Sequence, residues 1–201
     1  MHPMTMQTYH VPPEEIDRLF KRWGKYIHTY KPTQKASEKR NFKTTDENKR
    51  IGLIGQLGVE QLNISLGIPI DERKQLCLID TDENDGKLLI NGGIPLQTKT
   101  KKCCTIFSPD WSLMIPCDQY KKYDDNTIIF GCVFFPDLNI LDVVGYISYE
   151  EFDKKKRKVN PGDKQRNGFP VSGPPSYAVY YSELHNSQIE YRNFLKNGGS
   201  Q

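Results

Sequence analysis

Ile94-Pro95-Leu96-Gln97-Thr98-Lys99-Thr100 follows a Gly92-Gly93 turn, and the reading of the whole chain turns on it. Side chains alternate between the two faces of an extended strand, so Gln97 and Lys99 share one face while Thr98 points to the other. One strand end therefore presents an amide and an ammonium group to a common site. Short β-like runs surround it: 76–80 and 87–91 before the glycine turn, then 111–116, 127–135 and 141–148. Turn residues separate these runs, which predicts a mostly antiparallel meander. Residues 149–156 read as a short helix, 160–175 as a Gly/Pro loop, 177–181 as a last strand and 187–195 as a closing helix.

Ahead of the meander, residues 51–66 form a helical segment that Gly67 and Pro69 end. It carries Gly52, Gly55 and Gly58, each costing about 1 kcal/mol relative to alanine in a helix interior. Such glycines predict close packing against another backbone. Leu53, Leu57, Glu60 and Ile64 fall at spacings of four, three and four, which places Glu60 on an apolar, core-facing stripe. A carboxylate buried there needs a metal, a lysine or a hydrogen-bonding partner, because an isolated buried charge is expensive. Between this helix and the glycine turn lies the acidic stretch Asp80-Thr81-Asp82-Glu83-Asn84-Asp85. It reads either as a source of metal-binding carboxylates or as an acidic β-turn.

The N-terminal fifty residues have another character. Ile16, Leu19, Phe20, Trp23 and Tyr26 give residues 13–30 the spacing of an amphipathic helix, and 31–50 read as a polar linker or exposed arm. Between Asp17 and Arg50 there are eleven Lys or Arg against four Asp or Glu, so most of the surplus positive charge lies here. Lys35, Lys39, Arg40 and Lys43 are the arm's candidates for phosphate contacts. A second basic run, Lys154-Lys155-Lys156-Arg157-Lys158 with Lys164 and Arg166, reads as a phosphate-binding face, an address signal or a solvated surface. The expected division is 1–50 as helix and basic arm and 51–201 as the main domain.

Composition sets wide limits. The chain has 201 residues, a net charge of +3 and a mean hydropathy of -0.67, which suits one ordinary domain with an appendage. The charge is too mild to establish a nucleic-acid partner by itself. No apolar run approaches the roughly 18 residues of a membrane span, and the first residues lack the apolar core of a signal peptide. A cytoplasmic protein is expected. The five cysteines, Cys77, Cys103, Cys104, Cys117 and Cys132, show no zinc spacing and read as free thiols. The four histidines form no triad or metal spacing, and no glycine-rich phosphate loop is present.

Hydrolysis of a phosphodiester requires charge neutralisation at the phosphate, an activated water and a stabilised leaving oxygen, and carboxylates holding a divalent metal supply all three. A lysine beside the metal positions or activates the water. Gly58-Val59-Glu60 on a helix, the acidic stretch 80–85 and Leu96-Gln97-Thr98-Lys99-Thr100 occur in an order that resembles the PD-(D/E)xK nucleases. In that superfamily a helix glutamate precedes an aspartate, and then a strand ends in Asp, Glu or Gln, one residue, and Lys. The downstream stretch resembles phage and bacterial members too, through Trp111 to Pro116, Gln119, the strand 127–135 and Val144-Gly145-Tyr146-Ile147-Ser148 leading into Glu150-Glu151-Phe152.

The resemblance, covering 51 to about 184, implies an α/β restriction-endonuclease-like core, a central mixed sheet flanked by helices, with an N-terminal helical appendage. It implies a Mg2+-dependent DNA endonuclease of a bacterial or phage-infected cell, with Mn2+ as a substitute metal and two copies paired for double-strand cutting. Glu60, Asp85, Gln97 and Lys99 would be its catalytic group, with Asp80 the second choice of aspartate and Asp82 a third. Lys101 and Lys102 would join the basic arm in contacting DNA. Gln97 stands where many members carry a carboxylate, and its amide oxygen is a weaker metal ligand. The rival readings are a DNA-binding or assembly protein of the same fold that does not cleave, and a structural domain without a nucleic-acid role.

Overall fold

The computed structural model of the chain describes residues 5–18, 46–70, 86–104 and 106–198. It is a mixed α/β structure in which two sheets and several helices share strand material from almost the whole chain. In chain order the elements are β1 (Gln7–His10), α1 (Asp46–Ser65), β2 (Gly86–Leu88), β3 (Ile94–Lys102), β4 (Ser112–Pro116), α2 (Cys117–Tyr120), β5 (Ile128–Phe135), β6 (Ile140–Ser148), α3 (Tyr149–Lys155), β7 (Arg157–Val159), β8 (Ser176–Tyr180) and α4 (Gln188–Lys196). A five-stranded sheet runs β1-β6-β5-β3-β2, and a three-stranded sheet runs β4-β8-β7.

Strand β5, Ile-Ile-Phe-Gly-Cys-Val-Phe-Phe, is buried at all eight positions because both faces of the large sheet are covered. Ile128, Phe130, Cys132 and Phe134 face a core that includes Ile54, Leu62, Leu141 and Tyr191. Ile129, Val133 and Phe135 face a second core with Leu113, Ile115, Phe152, Val179 and Tyr181, contributed largely by the small sheet and α3. The expected meander is antiparallel at β2–β3, β5–β6 and β1–β6, but β3 and β5 pair parallel, Leu96 opposite Ile128 through Lys102 opposite Phe134. Parallel neighbours need a crossover, and here it carries β4 and α2 across the second core.

Helix α1 begins at Asp46, so the last five residues assigned to the arm belong to it. Its buried face is made of Ile51, Ile54, Val59 and Leu62 with Gly55 and Gly58. The expected core-facing stripe is therefore wrong in phase: Leu53, Leu57 and Glu60 are only half-buried and Ile64 is exposed. A Cβ at Gly55 would collide with Thr100 Oγ1 on β3, and one at Gly58 with Leu141 on β6. The close approach predicted from the glycines is real, but it is made to side chains of the sheet. Gly52 meets nothing within 4 Å.

The first residues, read in the sequence as part of the appendage, form an edge strand: Gln7 to His10 pairs with Val143 to Ile140 of β6. At the other end, Ser187 caps α4 by accepting from Glu190 N at 3.3 Å. Tyr191 of α4 donates to Asn63 Oδ1 at 3.0 Å, and Asn63 donates in turn to Val59 O at 2.8 Å, tying α4 to α1 inside the core. The strand expected at 76–80 lies outside the described residues. No helix among the described residues is long and apolar enough to cross a membrane.

Candidate functional site

Strand β3 divides its side chains between two environments. Thr98 and Thr100 lie against α1, as the space around Gly55 shows. Gln97, Lys99 and Lys101 pair with Ile129, Gly131 and Val133, and so turn to the opposite face, toward the small sheet. This is the shared face that the alternation predicted. Gly131 beside Lys99 leaves the room into which Leu113, Leu184 and Tyr181 reach; a Cβ there would stand 2.6 Å from Leu184 Cδ1.

On that face Lys99 Nζ donates to Gln119 Oε1 at 3.0 Å. The ring of Tyr123 lies 6.0 Å from the same ammonium. Gln119 sits on α2, the short helix that interrupts the crossover, so the crossover path itself delivers the acceptor to the lysine. Gln97 is 1% exposed, a polar side chain at the floor of this region. Two residues further along, Lys101 Nζ lies 4.3 Å from the ring centroid of Trp111, and burial lowers its pKa below the ordinary lysine value. Trp111 packs edge-on against Phe107.

Lys102 belongs to the other face of the strand. Its ammonium meets Glu47 Oε1 of α1 at 2.5 Å, which raises the lysine pKa and lowers that of the glutamate. The structure thus separates two lysines that the sequence placed together. Glu60 is half-buried on α1, the helix that lies over Thr98 and Thr100. Asp80, Asp82 and Asp85 lie outside the described residues, as do Lys35, Lys39, Arg40 and Lys43.

Gln97, Lys99, Lys101 and Gln119 offer two amides and two ammonium groups. Such donors do not by themselves suit a divalent cation, which favours carboxylate oxygens. Among the described residues no three His, Cys, Asp or Glu side chains are grouped to hold a metal. What the two lysines bring to this face is positive charge and N–H donors suited to an anion.

The basic run 154–166 takes a different form from a phosphate-binding face. Lys154 pairs with Glu150 at 2.7 Å and Lys155 with Glu151 at 2.5 Å, both across one turn of α3. Lys156 pairs with Asp153, Arg157 with Glu183 at 2.7 Å and Arg166 with Asp110 at 3.3 Å. The two guanidiniums also stack on Tyr180, at 3.8 and 4.0 Å from its ring centroid. Most of the positive charge in the run is answered locally, which favours the reading of a structural surface.

One cluster had no signal in the sequence. His185 Nε2 and Glu151 Oε2 are 2.6 Å apart, joining the segment before α4 to α3. Burial alone would raise the Glu151 pKa, but bonds with Lys155 and His185 outweigh it and hold the carboxyl below its ordinary value. The partners stand 34 residues apart, and only the bridge between Tyr146 and His185 brings them together. Gln119 and Trp111, in contrast, were visible only through the downstream resemblance, with no role attached.

The chain matches no family model, no curated protein and no solved structure.

Proposed function

We propose that the chain hydrolyses phosphodiester bonds of DNA as a metal-dependent endonuclease with a restriction-endonuclease-like core, and that Lys99 orients the attacking water. The observation that carries this reading is the Lys99–Gln119 bond beside the buried Gln97. The Gln119 amide directs the half-buried ammonium, and an ammonium is the kind of donor that holds a water or a phosphate oxygen in place.

Lys99 would hold the water by an N–H donor; as the water oxygen bonds to phosphorus its proton would pass to solvent, and the bond to the sugar oxygen would break with the electron pair going to that oxygen, which takes a proton from solvent. Gln97, buried beneath this face, would support the site from its floor without touching the phosphate. Magnesium, with manganese as its substitute, belongs to the proposal through the carboxylates of Asp85 or Asp80, and it would supply charge neutralisation when bound. The basic arm, through Lys35, Lys39, Arg40 and Lys43, would add phosphate contacts whose strength falls with salt. Pairing of two copies and a cytoplasmic setting belong to the same reading.

A second reading, a DNA-binding protein of this fold that does not cleave, is favoured by one specific feature: a buried amide, Gln97, stands where a carboxylate would hold a metal. Incubation of plasmid and of single-stranded DNA with magnesium, and separately with manganese, distinguishes the two. Cleavage that Lys99→Ala abolishes and Glu60→Ala spares supports hydrolysis at this face. Binding in calcium without cleavage in either metal supports the second reading, and cleavage undiminished in Lys99→Ala overturns the assignment of Lys99.

A further inference from the structure

We propose that Lys101 and Trp111 form a binding subsite for a phosphodiester of a DNA strand, one nucleotide from the bond at Lys99; the placement rests on the reading of Lys99 as the hydrolytic centre. Lys101 is the next residue on the same face of β3. Two strand residues span about 6.6 Å, a separation of the order of that between neighbouring phosphates on one strand. The two lysines thus leave β3 one such step apart, on one face of the strand.

The state of Lys101 points to an absent anion. Lys102, Lys154, Lys155, Lys156, Arg157 and Arg166 each meet a carboxylate. Lys101, partly buried on the inner face, is held by the ring of Trp111 and has no acidic partner among the described residues. A desolvated cation without a counter-charge is costly, and a ring face compensates only part of that cost. A phosphate would complete it. When a phosphate draws the ammonium from the ring, the indole face is left to a base, which stacks without regard to sequence.

The bland alternative is that the lysine stem simply covers an indole, with its charge incidental. Lys101→Met keeps a stem of similar length and removes the charge, whereas Lys101→Arg keeps the charge. The probe is a fluorescently labelled twelve-residue oligothymidylate in calcium, titrated against the full chain at several salt concentrations. Trp23→Phe leaves Trp111 as the only one of the two tryptophans, so its emission reports on the subsite directly.

The expected result is a saturable change in Trp111 emission, an affinity about tenfold lower in Lys101→Met, and a salt slope reduced by about one. Lys101→Arg should restore both. Equal affinity and slope in Lys101→Met, or binding without any change at Trp111, overturns the subsite. Plasmid cleavage by the native chain and by Lys99→Ala is measured beside it. Cleavage dependent on Lys99 with Lys101→Met binding unchanged overturns the subsite alone; Lys101-dependent binding with no cleavage upholds the subsite and overturns hydrolysis.

Discussion

Lys99 on β3 and Gln119 on α2, twenty residues apart in the chain, are joined by a 3.0 Å hydrogen bond in which the ammonium donates. The bond fixes the direction of the lysine. Under the proposed function Gln119 is a positioning residue and Lys99 acts on the water. Gln119→Ala should lower kcat by about tenfold with KM unchanged, while Lys99→Ala should lower it by about a hundredfold or more. Gln119→Glu keeps an acceptor and should recover most of the loss at low pH, where the carboxyl is protonated. Steady-state cleavage kinetics over a pH series check this, and a Gln119→Ala effect confined to KM would remove Gln119 from the positioning role.

The glycines of α1 should divide by their surroundings. Gly52 faces open space, so Gly52→Ala should stabilise the protein by about 0.5–1 kcal/mol through helix propensity. Gly55→Ala sets a methyl group against Thr100, whose Cβ lies 3.0 Å from the new atom and whose branched side chain has few alternatives. A loss of about 1–3 kcal/mol is expected. Urea unfolding of both variants tests the pair, and a stabilising Gly55→Ala would show that α1 does not press on β3 as described.

Those glycines also explain what the sequence concealed. Counting apolar side chains gave α1 a stripe through Leu53, Leu57 and Ile64, and with it a core-facing Glu60. The helix instead approaches the sheet along Gly55 and Gly58, where the absence of side chains is the packing feature. Strand β5 was legible because burial on both faces demands a continuous apolar run, Ile128 to Phe135. Strand β1, Gln-Thr-Tyr-His, was not, since it is a four-residue edge held by pairing with β6 rather than by its own pattern. The alternation that joined Gln97 to Lys99 was local and could be read. The parallel β3–β5 pairing and the arrival of Gln119 are long-range, and nothing within either segment encodes them.

The Tyr191–Asn63 bond predicts a cost that burial area alone does not. Both side chains are fully buried, at 0% exposure, and the tyrosine hydroxyl is a donor to Asn63 Oδ1. Tyr191→Phe removes only that oxygen yet leaves a buried amide oxygen short of a donor, which should cost about 1–3 kcal/mol. Tyr191→Phe with Asn63→Leu removes both polar partners, and its loss should be smaller than the sum of the single changes. Denaturant unfolding of the double-mutant cycle measures the coupling, and strict additivity would argue against the bond.

Acid should weaken the link between α3 and the segment before α4. Glu151 has its pKa lowered from 4.5: burial opposes ionisation, but Lys155 and His185 more than offset it. A carboxyl held low in the folded state favours folding above the unfolded value, and the contribution is lost as pH falls through the lower folded value. Asp153 is also lowered, by Lys156 and then Tyr120, and Glu183 is lowered by Arg157 and the Tyr180 amide against an opposing burial effect. The native chain should therefore lose stability steeply below about pH 4.5. Glu151→Gln cannot titrate, so it should be less stable near neutrality and should lose less on acidification, with Asp153 and Glu183 supplying the remaining slope. Urea unfolding at about pH 7 and about pH 3.5 compares the two chains. Parallel losses would mean that the Glu151–His185 pair contributes nothing to folding, whereas convergence of the two stabilities in acid would locate the contribution in this carboxylate.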